Sequence, residues 1–305
     1  MKSKTIIFLI VVLTIRLNAQ VNSVSDQYVL NPMLINPSYA GERGALNIGT
    51  FYRMQWIGIT GAPETLTLAV DAPFFNNKVG LGFMVINDKI GVTRETQLAT
   101  DYSYKIDIKE GKLSFGLGVT MMSTKTEWSK LITVDEGDDS YLIDSKNYYV
   151  PNFSFGMYYT IKNYYAGFSI PKFVNHKFNF DKNRYSLLID PSLYTYLFTT
   201  GYSFTLSKNI NFVPSTLLRY PTGQKPKFDL NAYFSFFNRF WLGASYRNNR
   251  TVSGLFQFHI DDQLKLAYSY DYDLGKLGKY SSGSHGIMIR YTFNYRVEAV
   301  NPLIF

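Results

Sequence analysis

Short segments in which apolar and polar residues alternate recur along the whole chain, and this period of two constrains the fold more than any other feature. In the segment Leu264–Asp273, leucine and tyrosine occupy one set of alternate positions, and lysine, alanine, serine and aspartate occupy the other. Because successive side chains of a β-strand point to opposite faces, such a strand has one face suited to hydrocarbon and one suited to a wet interior. The segments 113–122 and 287–294 alternate in the same way. The pattern predicts an all-β fold.

The aromatic content favours a membrane barrel over a soluble β-sandwich, which would also alternate. Phe, Trp and Tyr make up 17% of the 305 residues, with 25 Tyr and 24 Phe, more than a buried core easily uses. Tyrosine suits a bilayer interface, where its ring lies in the apolar edge and its hydroxyl in water. We therefore predict a transmembrane antiparallel β-barrel, with a soluble all-β fold as the alternative.

About fourteen strands fit the pattern, and the lengths of their connections orient them. Links after even-numbered strands are short, the longest being 72–78, whereas most links after odd-numbered strands are long. Bacterial outer-membrane barrels have short periplasmic turns and long extracellular loops, so both termini are predicted to face the periplasm. The predicted strands are 45–53, 64–71, 79–87, 96–106, 113–123, 152–161, 164–170, 192–206, 209–218, 227–237, 240–247, 252–260, 264–274 and 286–295. The predicted long links include 54–63, 88–95, 124–151 and 171–191.

The ends of the chain complete the predicted domain organisation. Lys2 and Lys4, an apolar run over 5–14 and a small residue at Ala19 have the pattern of a secretory signal peptide, residues 1–19, cleaved after Ala19. We predict a periplasmic or plug segment over 20–44, the barrel over 45–295 and a periplasmic tail over 296–305. Export without an apolar helix long enough to span a bilayer, together with barrel periodicity, predicts location in a bacterial outer membrane.

Charge gives little indication of a special partner. The formal charge is +8, and removing Lys2, Lys4 and Arg16 with the signal peptide leaves about +5. The basic residues are scattered through turns and strand ends without interleaved aromatic residues, so we expect no nucleic acid partner. Membrane lipid, through anionic headgroups or lipopolysaccharide, is the expected partner of the loop cations.

The sequence gives no constellation typical of catalysis, so we predict neither an enzyme nor a cofactor. The histidines, His176, His259 and His285, are far apart and lack an acid or serine partner at a recognisable spacing. His259 is expected to line the lumen beside Gln257. There is no cysteine, which excludes disulfides and thiolate metal sites.

Two further sets of residues are candidates for specific roles. Arg290 on the last strand is predicted to pair in the lumen with Asp271 or Asp273 on its neighbour. The 124–151 connection carries an acidic run over 135–139, which is either a solvated loop or a calcium site, although its spacing is not that of an EF-hand. The aromatic residues of this connection form either a protein-contact surface or part of an aromatic girdle; they are Trp128, Tyr141, Tyr148 and Tyr149.

The segment before the first strand differs from barrel sequence because it contains two Asn-Pro steps, Asn31-Pro32 and Asn36-Pro37, followed by Tyr39-Ala40-Gly41. Each proline fixes its own φ and disfavours helical geometry in the preceding asparagine, so the segment is expected to be a rigid, kinked strip. Gly41 and Gly44 permit a sharp turn into the first strand. The strip either docks inside the barrel or against a periplasmic partner, or it only fixes the first strand in place.

These residues, followed by Arg53, Gln55 and Trp56 and then by a Gly-Ala-Pro step at 61–63, resemble the PorP/SprF family of outer-membrane proteins of the Bacteroidota type IX secretion system. The resemblance is dense over about 25–120. It implies a non-enzymatic barrel that supports export and surface anchoring of a secreted cargo protein, such as a gliding adhesin, through the C-terminal sorting domain of that cargo. It also implies contact with periplasmic components of the same system. A passive or substrate-selective porin is the alternative.

Overall fold

The computed structural model describes residues 27–130, 144–179, 184–248 and 250–293. The predicted signal peptide and C-terminal tail lie outside these residues. The described part of the chain begins with one helical turn, α1 (Gln27–Leu30), and continues as β-strands. The strands are β1 (Leu46–Met54), β2 (Glu64–Phe74), β3 (Val79–Ile90), β4 (Thr93–Ile108), β5 (Gly111–Thr126), β6 (Tyr148–Ile161), β7 (Tyr164–Ile170), β8 (Asn175–Asn179), β9 (Arg184–Leu188), β10 (Thr195–Tyr202), β11 (Phe204–Ser207), β12 (Ile210–Pro221), β13 (Lys227–Phe236), β14 (Phe240–Arg247), β15 (Thr251–His259), β16 (Leu264–Asp273) and β17 (Ser284–Phe293).

All of these strands except β8 and β9 form one closed antiparallel sheet. Most strands pair with their neighbours in sequence, and β1 pairs over its whole length with β17, from Leu46 opposite Phe293 to Met54 opposite His285. β10 and β11 are two parts of one wall strand interrupted at Ser203, and both pair with β12. The barrel therefore has fourteen strands, which confirms the predicted fold class and strand number.

The alternation in the sequence becomes the two faces of the barrel wall. In β1, Phe51 and Arg53 point into the barrel and are buried, whereas Ile48 and Tyr52 point outward and are exposed. The outward side chains of the other strands are also largely leucine, phenylalanine and tyrosine. Exposed apolar residues in such number suit a wall that faces hydrocarbon.

The two ends of the barrel differ in their connections. One end carries only short turns, such as 109–110 and 162–163, and is called here the short-turn end; the other, which carries the connections 55–63, 127–147 and 274–283, is called the long-loop end. This asymmetry is the predicted one, and its assignment to periplasm and cell surface stays a prediction. None of the helices among the described residues is long and apolar enough to cross a membrane.

Several predicted bounds were wrong, mainly at the long-loop end. The expected loop 88–95 is a two-residue turn, Gly91 and Val92, because the β3–β4 ladder continues to the pair Ile90 and Thr93. β6 begins at Tyr148, and the connection 171–194 contains a hairpin formed by β8 and β9. The connection between β2 and β3, expected over 72–78, is also shorter and forms a turn over 75–78. At the long-loop end, ladder pairing extends polar strand ends that have no apolar alternation; at the turn over 75–78 it extends β2 through Ala72–Phe74.

Residues 27–44, called the plug below, lie inside the barrel and complete its core. Leu30, Met33 and Ala40 of the plug pack in one buried cluster with Phe51 and Met84 of the wall. A second cluster joins Tyr28 and Ile35 of the plug to Leu197 and Leu217. A fourteen-strand barrel is too wide for its own side chains to fill, so the plug supplies the apolar residues that the lumen otherwise lacks.

Candidate functional site

The plug has a compact local structure that follows from its two Asn-Pro steps. Asn31 and Asn36 are non-helical, and the proline after each begins a single 3₁₀ turn, Pro32–Leu34 and Pro37–Tyr39. The Asn36 carboxamide oxygen accepts hydrogen bonds from the backbone N–H of Ser38 at 3.0 Å and from its hydroxyl at 2.6 Å. The strip is thus a pair of 3₁₀ turns rather than an extended segment, since proline preorganises the first position of a turn, and the Asn36 side chain caps the second turn.

Asn36 and its neighbour Ile35 attach the plug to the wall at β6 and β7. The Asn36 amide nitrogen donates to the carbonyl oxygens of Met157 at 3.0 Å and Phe168 at 3.3 Å. The Ser169 hydroxyl donates to the carbonyl oxygen of Ile35 at 2.6 Å. Asn36 is buried and uses both ends of its carboxamide, so an alanine at this position would leave its partners without these bonds.

The end of the plug is attached to β2 and β4. The Ser103 hydroxyl donates to the carbonyl oxygen of Ala40 at 2.8 Å, and the Lys105 ammonium donates to that of Gly41 at 2.7 Å. The N–H of Gly41 donates to Asp71 at 3.2 Å, and Lys105 also pairs with Glu42 at 3.0 Å. Gly41 has a φ of +64° and Gly44 a φ of +73°, which confirms that these glycines make the turn into β1.

A cluster of arginines holds the plug against β1, β2 and β17. Arg43 pairs with Asp71 at 3.2 Å and donates to the carbonyl oxygen of Leu30 at 3.2 Å. Arg290 donates to the same carbonyl oxygen and lies over the ring of Phe51, 5.7 Å from its centroid. Both guanidinium groups therefore converge on the end of α1, where a helix C-terminus favours positive charge.

Inward-facing glycines provide the space in which the plug lies. A Cβ atom added to Gly80 would lie 1.9 Å from the carbonyl oxygen of Ala40, and one added to Gly116 would lie 2.2 Å from the nitrogen of Ser38. At Gly156 it would lie 1.8 Å from the Asn36 side-chain oxygen. Neighbouring inward positions are glycine too, at Gly82, Gly118 and Gly167. We call this set of six the glycine groove. A Cβ atom at Gly80, Gly116 or Gly156 would clash with the plug itself, whereas one at Gly118 or Gly167 would clash first with side chains of the wall.

Aromatic contacts complete the interface on two sides. Tyr39 packs against Tyr158 with ring centroids 4.2 Å apart. Across the lumen, the Tyr28 hydroxyl accepts a hydrogen bond from Asn231 at 2.9 Å, and Asn231 also contacts Ser215. The plug is therefore held on opposite walls of the barrel, not only on the strand that it precedes.

The predicted lumen ion pairs of Arg290 were wrong. In the β16–β17 register Arg290 lies opposite Lys265, whereas Asp271 lies opposite Ser284, about 20 Å further along the strand. Asp271 pairs instead with Arg53, the predicted family residue on β1. Asp273 accepts from the N–H of Gly275 at the long-loop end. The sequence identified the charged lumen residues but not the register that decides which of them meet.

Arg53, Gln55 and Trp56 lie at the long-loop end, away from the plug turns with which the sequence grouped them. The N–H of Gln55 donates to the carbonyl oxygen of Pro63 at 2.9 Å, and that of Trp56 donates to the Ser284 hydroxyl at 3.1 Å. Trp56 has a φ of +46°, an uncommon conformation for a bulky residue. Arg53 and Trp56 thus tie β1 and the start of the β1–β2 loop to β16 and β17, across the seam where the barrel closes.

The four aromatic residues predicted to form a contact surface or girdle in the 124–151 connection do not lie together in one element. Trp128 lies in a short 3₁₀ turn after β5. In the same turn the Ser129 hydroxyl donates to the Asp144 carboxylate at 2.7 Å, which links the turn to the far end of the connection. Tyr148 and Tyr149 belong to β6, and Tyr149 points outward with 67% of its surface exposed, a position that suits a girdle. Tyr141 and the acidic run 135–139 lie outside the described residues.

The remaining side chains of the lumen give no evidence of catalysis. His259 contacts Gln257 at 2.7 Å on the inward face of β15, as predicted. His285 lies instead on the outer face of the wall, where it contacts Tyr268 at 2.6 Å. Among the described residues, no group of three or more histidine or acidic side chains is placed to hold a metal ion. A cavity of about 100 Å³ remains between the plug and the wall, lined among others by Met33, Asp101 and His176.

These features define a class of protein: an outer-membrane β-barrel whose lumen is occupied by its own N-terminal segment. Among solved structures, Omp33 of Acinetobacter baumannii, an outer membrane protein, is similar with a TM-score of 0.51 and 7% identity, over 82% of this chain and 98% of that one. CymD, a monoaromatic hydrocarbon channel, is similar with a TM-score of 0.50 and 12% identity, over 89% of this chain and 94% of that one. At these identities the likeness concerns the fold alone.

A comparison with curated protein sequences gave no significant match. The sequence model of the type IX secretion system membrane protein family PorP/SprF matches residues 17–291. The chain belongs to this family. The match spans the plug and nearly the whole barrel, which confirms the predicted resemblance and the association with type IX secretion.

Proposed function

We propose that this barrel supports the export and surface anchoring of a secreted cargo protein by holding the C-terminal sorting domain of that cargo at the long-loop end. Its role is then structural and non-enzymatic. The observation that carries the proposal is the plug, which occupies the lumen of a barrel from a protein-secretion family.

The plug favours an anchoring barrel over a porin. It is bonded to β2, β4, β6, β7, β13 and β17, and cavities of about 100 and 140 Å³ adjoin it. A diffusion channel needs a continuous aqueous path, which a segment so attached would obstruct. The lumen is therefore better suited to rigidity than to solute passage.

The cargo domain is proposed to bind at the long-loop end, which we place at the cell surface. The connection after β5 carries Trp128, and tryptophan is enriched among the residues that dominate protein interfaces. Tyr148 lies at the other end of the same connection, and Tyr141 is the third proposed contact. Tyr149 is assigned to the membrane girdle because it points outward from β6.

The periplasmic components of the secretion system are proposed to bind at the short-turn end. Both ends of the closed sheet, Leu46 and Phe293, and the turn that leads out of the plug lie there. A partner at that end would reach the plug, so the two Asn-Pro turns have a proposed second role besides filling the lumen. Cleavage of the signal peptide after Ala19 is part of this proposal, since it leaves residue 20 as the mature N-terminus.

Copurification of a cargo C-terminal sorting domain with the tagged barrel tests the proposal. We expect retention of the domain by the wild type, loss in Trp128→Ala, and retention in the matched control Tyr149→Ala, with normal barrel insertion in all three. If both variants retained the sorting domain equally, Trp128 would not be part of the surface that binds the cargo. Unchanged surface display of cargo after deletion of the gene, with altered uptake of small solutes instead, would refute the anchoring role.

A further inference from the structure

Three cationic side chains lie side by side on the outer surface of the barrel near the long-loop end. They are Lys89 on β3, Arg94 on β4 and Lys125 on β5. Lys89 is directly opposite Arg94, and Arg94 is directly opposite Lys125, so the three occupy one row across adjacent strands. Ala99 on β4 and Met122 on β5 are buried in the lumen. They stand an odd number of residues from the cations of their strands, and alternate side chains point to opposite faces, so the cations point away from the lumen. We call them the cationic row.

The row lies just beyond the part of the wall that faces hydrocarbon. The apolar outward side chains of β4 begin at Leu98 and end at Ile108, about 33 Å along the strand and, at the usual strand tilt, about 25 Å along the membrane normal. That distance is the height of the apolar band of an outer-membrane barrel. Arg94 is four residues beyond Leu98, with Thr96 between them, and therefore lies at the level of lipid headgroups.

The charge of the row is only partly balanced by the protein. Like charges directly opposite one another destabilise a strand pair, and neighbouring strands are only about 4.8 Å apart. Glu127 pairs with Lys130 at 2.7 Å and lies 3.8 Å from Lys125. Its hydrogen bond with Lys130, followed by the charges of Lys125 and Arg94, lowers the pKa of the Glu127 carboxyl. Glu64 on β2 lies directly opposite Lys89 and supplies one carboxylate at the end of the row. In the described part of the chain, no ion pair within 4.0 Å engages Lys89 or Arg94.

We propose that the cationic row binds the phosphate groups of a membrane lipid in the leaflet at the long-loop end. The cations span about 10 Å, which suits a headgroup with more than one phosphate. Directly below them, the exposed side chains of Leu98 and Met121 offer an apolar wall for acyl chains. A phosphorylated lipid uses both features, whereas a soluble anion would use only the charges.

Native mass spectrometry of the full-length protein released from nanodiscs tests this binding. The nanodiscs contain phosphatidylcholine with a minor fraction of diphosphoryl lipid A or of the same lipid without phosphate. The variant is Lys89→Gln/Arg94→Gln/Lys125→Gln. The matched control, Lys225→Gln/Lys276→Gln/Lys279→Gln, removes the same charge from exposed loop positions at the same end.

We expect the wild type and the control to retain diphosphoryl lipid A and the row variant to retain it about 100-fold less, since each basic residue near a membrane surface contributes about a fivefold attraction. Equal retention by the row variant and the wild type would overturn the proposal. So would displacement of the lipid by inorganic phosphate alone, which would indicate a site for a free anion. Retention of lipid only after the acidic residues of 135–139 are neutralised would mean that the chain itself occupies the row.

Discussion

Replacing Gly116 by alanine tests whether the glycine groove holds the plug. The new methyl group would lie 2.2 Å from the nitrogen of Ser38 and 2.5 Å from the carbonyl carbon of Pro37. These are backbone atoms, so no side-chain rotation relieves the clash. Gly116 is itself fixed by ladder pairing with Ser103 on one side and Gly156 on the other. The wall is therefore the stiffer partner, and the plug must move by at least ~1.2 Å to reach ordinary contact distance.

A movement of that size breaks the hydrogen bonds on both sides of Ser38. The bonds from Asn36 to Met157 at 3.0 Å and from Ser103 to Ala40 at 2.8 Å, together with the Ser169 bond, would lengthen beyond about 3.6 Å, where they no longer count as hydrogen bonds. At about 1 kcal/mol each, their loss weakens docking of the plug by about 3 kcal/mol. The undocked population should rise about 100-fold.

The chain has no cysteine, so a single introduced thiol reports the undocked state. Ser38→Cys places a thiol at a fully buried plug position, and a membrane-impermeant maleimide should label it only when the plug leaves the groove. The matched control is Gly254→Ala, because a Cβ atom at that outward strand position has no atom within 4 Å. We expect labelling about 100-fold faster with Gly116→Ala than with Gly254→Ala. Equal rates would refute the role of the groove.

Three further outcomes follow from the contacts of the site. Asn36→Ala should increase labelling of Ser38→Cys about 30-fold while barrel insertion is normal, since it removes two hydrogen bonds of about 1 kcal/mol each. Lost insertion would show that the segment only fixes β1. Arg53→Ala should lower the free energy of unfolding by about 3–5 kcal/mol in urea titrations, and adding Asp271→Asn should recover part of it; no recovery would argue against the buried pair. Glu127→Gln should increase retention of diphosphoryl lipid A in the nanodisc assay, because it removes a competing carboxylate, and a decrease would contradict the proposed row.

The wall could be predicted from sequence because each strand carries its own evidence. The alternation of Leu264–Asp273 assigns every side chain of that strand to a face, and burial in the structure follows the same assignment. Errors arose where alternation gives no information, as at Ile90, where a polar strand end continues only because its partner Thr93 pairs with it. The register of a strand pair depends on both segments, so the sequence of one strand alone does not predict where its pairing ends.

The interface between the plug and the wall was harder to predict from the sequence, because it joins residues that are far apart in the chain. The two Asn-Pro steps predicted a rigid segment, yet nothing in 27–44 indicates which wall positions receive it. The glycine groove was the missed evidence: Gly80 and Gly82, like Gly116 and Gly118, leave two successive inward positions without side chains. When adjacent strands carry glycine at successive inward positions, the lumen wall there has no side chains, which indicates that another part of the molecule fills the space.

The most direct test of the central claim, that the lumen is closed by the plug, is single-channel conductance in planar bilayers. We expect the purified wild-type barrel to show no stable open state, and a variant lacking residues 27–44 that still inserts to show a steady ionic conductance. A stable open pore in the wild type, with conductance unchanged by removal of the plug, would contradict the claim and favour a porin.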